Sequence, residues 1–163
     1  MRTMMWMFCL LALAACAPVI SPQTMSTVDR GVSFAQLKEA PEQQRGKVVL
    51  LGGAIAGVRN TERGGELEIV QLPTDDAGKP AGSALSGGRF LARSDRFLDP
   101  LVYQQGLLVT LVGEVAGKET RKIEQMEYIY PVLKVHEAHL WEPEQLREPR
   151  FHFGIGVGIG HRL

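Results

Sequence analysis

The stretch Leu107-Leu108-Val109-Thr110-Leu111-Val112-Gly113-Glu114-Val115 carries the strongest strand signal in the chain and decides the fold class. Apolar and β-branched residues dominate it, and Gly106 and Gly117 flank it as turn residues flank a strand. Because side chains alternate between the two faces of a strand, Val109 and Leu111 are expected to point together into a core. The stretch therefore predicts a mainly β protein organised around one central strand.

Two runs before this strand are predicted to pair as a hairpin. Residues 47–58 and 66–72 are rich in Val, Leu and Ile, and a charged, Gly-containing turn joins them. Alternation in the second run separates an apolar side from an acidic side. The residues expected to point inward are Leu67 and Ile69, and those expected to face solvent are Glu66 and Glu68.

A short helix and a third strand are also predicted. Ser33 precedes Phe34, Leu37 and Ala40 at helical spacing, which predicts a helix capped by Ser33. Residues 87–92 predict the third strand.

The remaining elements are a helical spacer and a long last strand. Ser94 is expected to cap a short helix over residues 97–102, whose length Pro100 limits. Residues 126–141 predict the fifth strand, and Pro131 within it indicates an edge or a bulge.

The predicted order is three strands, a short helix and two strands, which matches the small five-stranded OB barrel. Another small barrel or a sandwich is the alternative. The glycines in the predicted strands suit the tight coiling of such a barrel. The fold class is therefore predicted as mainly β, an OB-like five-stranded barrel with one or two short helices.

The first residues of the chain have the pattern of a secretory leader. Arg2 precedes the apolar run 4–13, which is too short to span a membrane before Pro18 and a polar stretch. The run ends at Leu13-Ala14-Ala15-Cys16, where small residues come directly before a cysteine. A buried core helix or a single-span anchor with an incidental cysteine is the alternative.

Leu13-Ala14-Ala15-Cys16 resembles the lipobox of bacterial lipoproteins. The resemblance implies that residues 1–15 are a signal peptide that is removed, and that Cys16 is the lipid attachment site at the new amino terminus. More than one acyl chain, palmitate among them, makes such an anchor stable. Ala17, in place of the Asp that retains lipoproteins in the inner membrane, implies the outer membrane of a Gram-negative envelope.

After the cysteine, residues 16–32 are predicted to be a lipidated tether. Residues 17–30 are rich in Pro, Ser and Thr, and no regular structure is expected there. Cys9 is lost with the leader and Cys16 is modified, so neither a disulfide nor a Cys-based metal site is expected. With 18 basic and 18 acidic residues in the chain, no electrostatic attraction to nucleic acid is predicted.

Candidate metal ligands and nucleophiles are few. His136 and His139 lie three apart in a predicted strand and would point to opposite faces, which favours solvated or capping roles over a shared metal ion. Ser83 and Ser86 lack the glycine pattern of a nucleophile elbow. No catalytic, metal-binding or cofactor-binding residue is predicted.

Carboxylates and aromatic side chains are interpreted as structural. The carboxylates cluster with cations near a predicted hairpin turn, which favours a charged turn over a catalytic pair; they are Glu114, Glu119, Glu124 and Glu127. Strands 2 and 3 of an OB barrel stack ligands on aromatic residues, and here they offer only Phe90. The other aromatic residues are expected to fill the core or cover a barrel end; they are Tyr103, Tyr128, Tyr130 and Trp141.

Four runs beyond the leader resemble, in order and spacing, the Slp family of outer-membrane lipoproteins. They are Gly87-Gly88-Arg89-Phe90, residues 103–117, Tyr128-Ile129-Tyr130-Pro131-Val132 and Leu140-Trp141. The resemblance runs from the lipobox to about Trp141 and makes residues 33–148 an Slp-like barrel domain. It implies a non-enzymatic lipoprotein with a role in envelope maintenance or in stress and starvation.

Other functions remain open at this stage. A periplasmic module that binds a small ligand or peptidoglycan is one, a scaffold that contacts an envelope protein is another, and an envelope enzyme would need a cleft with convergent polar groups. Residues 149–163 form a Gly-rich apolar tail in which Phe151, Phe153 and Ile155 share one face if the tail is extended. The tail is interpreted as flexible, with a strand that contacts a partner or the membrane as the alternative.

Overall fold

Five strands form a closed barrel in the ring order β1-β2-β3-β5-β4. The computed structural model describes residues 18–82 and 85–142. Two short α-helices and a 3-10 helix precede the barrel, and no described helix is both long and apolar enough to cross a bilayer. The elements are α1 (Pro22–Met25), α2 (Phe34–Glu39), a 3-10 helix (Pro41–Gln44), β1 (Val48–Thr61), β2 (Gly64–Leu72), β3 (Gly88–Ser94), β4 (Leu108–Ile123) and β5 (Met126–Leu140).

The ring closes through one parallel contact. β1 pairs antiparallel with both β2 and β4, and β2 with β3, while residues 91–93 of β3 pair in parallel with residues 132–134 of β5. This strand order is that of the OB fold, so the predicted fold class is confirmed. Pro131 lies beside a bulge at Val115/Gly117, and β3 pairs with β5 only beyond it, as expected for an edge proline.

The barrel interior is filled by the alternating apolar residues of the strands. Val109, Leu111, Leu67, Ile69 and Phe90 are all buried in this core, as predicted for the first four. Phe90 thus points inward and offers no stacking surface on the outside of the barrel.

The helix α2 closes one end of the barrel. The hydroxyl of Ser33 accepts from the backbone N–H of Gln36, and the Gln36 side chain accepts from the backbone N–H of Ser33 at 2.8 Å. This reciprocal cap begins the helix where the sequence predicts it. Phe34 and Leu37 are buried, and the Phe34 ring lies 6.0 Å from that of Phe90.

The prediction of a helical spacer after Ser94 is wrong. The side chain of Asn60 donates to the carbonyl of Leu98 and accepts from its backbone N–H, both at 2.8 Å, which holds this backbone out of a helix. Only one turn follows, with the Asp99 carboxylate accepting from the N–H of Leu101 at 2.8 Å. Leu98 is buried in the barrel core, and Tyr103 packs against the same core.

The amino-terminal segment is also structured, contrary to expectation. The segment between Pro18 and Arg30 contains α1, capped by the hydroxyl of Ser21, and the side chain of Ile20 is buried. The composition had indicated a tether without structure. The described part of this segment instead packs on the outside of the barrel.

β4 and β5 extend well past the ring as a long hairpin. The predicted end of β4 at Val115 is too early, because the strand continues to Ile123 and turns at Glu124, which has a positive φ. Gly117 sits at the bulge with φ 120°, a conformation that favours glycine and lets the strand bend there.

Truncating Leu111 to Ala is expected to lower the free energy of unfolding by about 2 to 5 kcal/mol, because its fully buried side chain would leave a cavity in the core. Met126→Ala is the matched control, since Met126 is 76% exposed and its truncation should change little. Chemical denaturation of both variants measures the difference. Equal effects would contradict the inward orientation of this face.

Candidate functional site

A buried carboxylate lies on the outer face of the barrel, where the sequence predicts solvent exposure. Glu66 is only 7% exposed, so the expectation that it faces solvent is wrong. Its neighbour Glu68 is half-buried. The hairpin of β4 and β5 covers both residues, because it folds back across the outer face of β2 and β3.

Three arginines from three strands converge on Glu66. Arg121 of β4 donates two hydrogen bonds to its carboxylate, at 2.8 and 2.9 Å, in a bidentate pair. Arg59 of β1 donates at 2.9 Å, and Arg93 of β3 also donates at 2.9 Å. Arg59 and Arg93 lie directly opposite Glu66 in the β1–β2 and β2–β3 registers. Glu66 therefore connects four strands.

A second carboxylate completes this arginine cluster. Glu119 accepts from the guanidinium of Arg121 at 2.6 Å and also pairs with Arg93. Burial by itself raises the pKa of Glu66, but the hydrogen bonds from Arg121 and Arg93 outweigh it and lower that pKa to about 2. Glu66 thus stays ionised well below neutral pH.

Two tyrosines of the hairpin form hydrogen bonds to β2 and β3 beside this cluster. The hydroxyl of Tyr130 donates to Glu68 at 2.9 Å, and burial together with this bond raises the pKa of Tyr130 to about 12. The hydroxyl of Tyr128 accepts from the backbone N–H of Arg89 at 2.8 Å. Both rings pack in a second apolar cluster around Leu91. The prediction that the aromatic residues fill the core or cover a barrel end is therefore wrong for these two tyrosines, which pack on the outer face, whereas Tyr103 does pack against the main core.

The covered surface is the one on which OB barrels hold single strands and sugars. Here intramolecular ion pairs and aromatic contacts occupy it. An open cleft of about 560 Å³ remains beside it, between the β1–β2 turn, the end of β3 and the hairpin. The cleft carries a small excess of positive charge: its cations are Arg59, Arg63, Arg93 and Lys134, and its carboxylates are Glu66, Asp95 and Glu119.

The predicted candidate residues are not brought together into a site. His136 lies 4.0 Å from the carboxylate of Glu114, whereas His139 packs edge-on against Trp141. Within residues 18–82 and 85–142, no group of three or more His, Cys, Asp or Glu side chains is arranged to hold a metal ion. The hydroxyl of Ser86 donates to the carbonyl of Gly88 at 3.0 Å.

Several predicted features lie outside the described residues. They are Cys16 with the leader, Ser83, and the tail from residue 149 onward. Among the carboxylates, Glu124 forms the hairpin turn and Glu127 is exposed, as expected of a charged turn.

Sequence reasoning missed the Glu66 cluster. The available signal was opposite charge at outward positions of neighbouring strands, since Arg59, Glu66 and Arg93 all lie at one level of the sheet.

The family comparison covers the barrel and reaches back to the leader. The chain matches the model of the outer membrane lipoprotein Slp family over residues 13–156. It belongs to the Slp family. The match begins at Leu13, the first residue of the lipobox-like motif, and includes both the arginine cluster and the hairpin.

Two relatives from Escherichia coli (strain K12) illustrate the similarity. The chain is 29% identical over 158 residues to the uncharacterized lipoprotein YeaY, covering 93% of this chain and 81% of the relative. It is 31% identical over 132 residues to the outer membrane protein Slp, covering 79% and 69% respectively. Both alignments agree with the assignment of the chain to the outer membrane lipoprotein Slp family.

Solved structures offer a weaker likeness. The mitochondrial single-stranded DNA-binding protein Rim1 of S. cerevisiae aligns with a TM-score of 0.37 and 13% identity, over 58% of this chain and 94% of Rim1. The small single-stranded DNA-binding protein of Streptomyces coelicolor gives the same TM-score at 14% identity, with the same coverage. The fold assignment rests on the strand order described above.

Glu66→Gln is expected to lower the stability at neutral pH by about 3 kcal/mol, since a pKa lowered from 4.5 to about 2 corresponds to roughly that energy. The folded-state pKa is below the unfolded value, so the carboxylate stabilises the fold above pH 4.5. That contribution is lost as the pH falls from about 4.5 to about 2. Urea denaturation from pH 7 to pH 2 should show a shallower decline for the variant. Glu127→Gln, at an exposed position, is the control, and an identical pH profile for Glu66→Gln and wild type would contradict the assignment.

Proposed function

We propose that this Slp-family protein is lipidated on Cys16 after removal of residues 1–15, is anchored in the outer membrane, and acts there as a non-enzymatic module in envelope maintenance or starvation stress. One observation supports lipid attachment at Cys16. The family match begins at Leu13, so the Leu13-Ala14-Ala15-Cys16 motif belongs to the matched region. In a lipobox, the thiol of this cysteine is the atom that receives the lipid.

The lowered pKa and the hydrogen bonds of the buried carboxylate Glu66 support a non-enzymatic role. Catalytic acids and bases need pKa values near the working pH and a proton that can move. Glu66, the carboxylate most strongly buried among residues 18–82 and 85–142, has its pKa lowered to about 2 and both oxygens bound by arginines. Such a group cannot exchange a proton near neutral pH.

Replacing Cys16 with Ser is expected to abolish the incorporation of radioactive palmitate, because the acceptor thiol is lost. The barrel should fold as before, since Cys16 precedes every buried residue of the described chain. Membrane fractionation and a thermal melt of the same sample measure both outcomes. Label retained by the Ser variant, or wild type found in the soluble fraction, would refute lipid attachment at Cys16.

A second candidate function is the binding of peptidoglycan through its carboxylates, and the cationic cleft is the observation that favours it. Arg63 lines this cleft beside the arginine cluster, and the Lys134–Asp95 ion pair lines it too, at the edge of the surface that other OB barrels use for sugars. Guanidinium groups bind carboxylates in paired hydrogen bonds. The lipid on Cys16 would then hold the protein in the outer membrane while the barrel binds the ligand.

Arg63→Glu is expected to reduce co-sedimentation with purified peptidoglycan sacculi, because it reverses a charge in the cleft. The full chain carrying Cys16→Ser serves as the background, so that lipid does not drive sedimentation. Arg96→Glu is the matched control, since Arg96 is also exposed and is not among the residues that line this cleft. Equal sedimentation of both variants and their parent would remove the support for this second function.

A further inference from the structure

The chain joins the barrel only four residues after Cys16. Ile20 is the first residue of the described chain with a buried side chain, 2% exposed. The backbone N–H and the hydroxyl of Ser21 both donate to the carboxylate of Glu137 on β5, at 2.8 and 2.6 Å. The chain is therefore fixed to the outside of the barrel at Ile20 and Ser21.

The same segment is held again at its far end. The backbone N–H of Asp29 donates to the carbonyl of Val48 at the start of β1 at 2.8 Å. The carboxylate of Asp29 lies 3.8 Å from the ammonium group of Lys47. Because both ends contact the barrel, the segment does not act as a free spacer.

This attachment limits how far the barrel can move from its anchor. A fully extended chain spans at most about 3.3 to 3.6 Å per residue, so the four steps from Cys16 to Ile20 reach about 14 Å at most. A domain of about 100 residues has a radius of gyration of about 13 Å, so its diameter exceeds this reach. Only the side of the barrel that carries Ile20 can then lie beside the lipid.

We propose that the face formed by residues 18–30 and the loop 73–80 lies directly against the lipid head groups of the membrane, with the β4–β5 hairpin pointing away from it. We call this surface the anchor face. The inference rests on the proposed lipidation of Cys16 and adds to it the orientation of the folded domain.

The anchor face has an apolar groove that suits this contact. The groove, of about 580 Å³, lies between the amino-terminal segment and the loop. Its partly buried apolar residues are Val19, Met25, Val28, Val32 and Leu50. The loop is firmly placed, since Thr74 and Pro80 pack on β1 where Gly52 has no side chain, and the hydroxyl of Thr110 donates to the carbonyl of Gly78.

The charges of the anchor face nearly balance, so charge neither drives nor strongly opposes its approach to a membrane. Four carboxylates and three cations lie on or next to it, and anionic lipid repels the first set and attracts the second. The carboxylates are Asp29, Asp75, Asp76 and Glu137, and the cations are Arg30, Lys47 and Lys79. The short anchor therefore decides the orientation without help from charge.

The hairpin lies on the opposite side of the ring. The anchor face covers the outer surface of β1, β4 and β5 at Gly52, Thr110 and Glu137, whereas the hairpin covers that of β2 and β3 at Glu66. Ala77 in the loop and Lys122 near the hairpin tip are both exposed and mark the two sides.

Depth-dependent quenching tests this orientation. The lipidated full chain carrying Ala77→Cys or Lys122→Cys is labelled with a fluorophore, since acylation leaves the introduced thiol as the one free thiol of the mature chain. The protein is placed in vesicles of phosphatidylethanolamine and phosphatidylglycerol with a nitroxide on the head group. We expect a large loss of fluorescence at Ala77 and little at Lys122.

Two further variants separate orientation from anchoring. A flexible Gly/Ser segment inserted between Ala17 and Pro18 should keep the protein on vesicles but remove the difference between the two labels. Glu137→Ala, which removes the acceptor of Ser21, should reduce the difference, whereas Glu127→Ala at an exposed site should preserve it.

The outcomes distinguish the two proposals. If the wild-type chain does not float with vesicles, lipidation on Cys16 fails and the orientation fails with it. If the chain floats but both labels are quenched equally, or Lys122 is quenched more, the orientation alone is overturned. Quenching that favours Ala77 and is lost on insertion of the flexible segment supports it.

Discussion

Closure of the ring by the parallel contact between residues 91–93 and 132–134 is the constraint on which the rest of the structure depends. It seals the inner faces of all five strands into one core and leaves an outer surface with two sides. β5 runs parallel to β3 and antiparallel to β4, so a hairpin turn joins β4 directly to β5. This long hairpin extends past the ring, and its apolar side chains are buried only where it packs on another surface.

The arginine cluster determines where the hairpin lies. Glu66 accepts from arginines of β1, β3 and β4, so a shift of the hairpin would leave a buried carboxylate with fewer partners. A complete set of buried ion pairs adds little net stability, whereas removal of one member is costly. We therefore interpret the cluster as a device that fixes the hairpin in one position, while the Leu91 cluster beneath Tyr130 supplies the apolar burial.

The sequence predicts this fold to the extent that local patterns determine it. Alternation places Leu67 and Ile69 in the core, and the reciprocal cap of Ser33 and Gln36 begins α2 where expected. The exposure of Glu66 was predicted wrongly. Alternation separates inward from outward positions of a strand, but it does not show that a hairpin from another part of the chain covers the outward side.

Two other errors have the same kind of cause. Helical spacing after Ser94 was overridden by Asn60, which is distant in sequence and holds the backbone of Leu98. The segment 18–30 has no periodic pattern, and it is ordered by one buried residue, Ile20, and by the acceptor Glu137 over a hundred residues away. Interactions between distant residues cannot be inferred from a single sequence by periodicity.

These interactions cover two sides of the barrel. The side that OB barrels use for ligands is occupied by the hairpin, and the opposite side by the amino-terminal segment and the loop 73–80. The cleft between the hairpin and the β1–β2 turn stays open beside these covers, and Arg63 lines it. With the proposed lipid on Cys16, the anchor face would lie on one side of the domain and the cleft beside the hairpin on the other, which would orient the domain at the membrane. The shortness of the proposed attachment matters for this, because a barrel on a long tether would present every side equally.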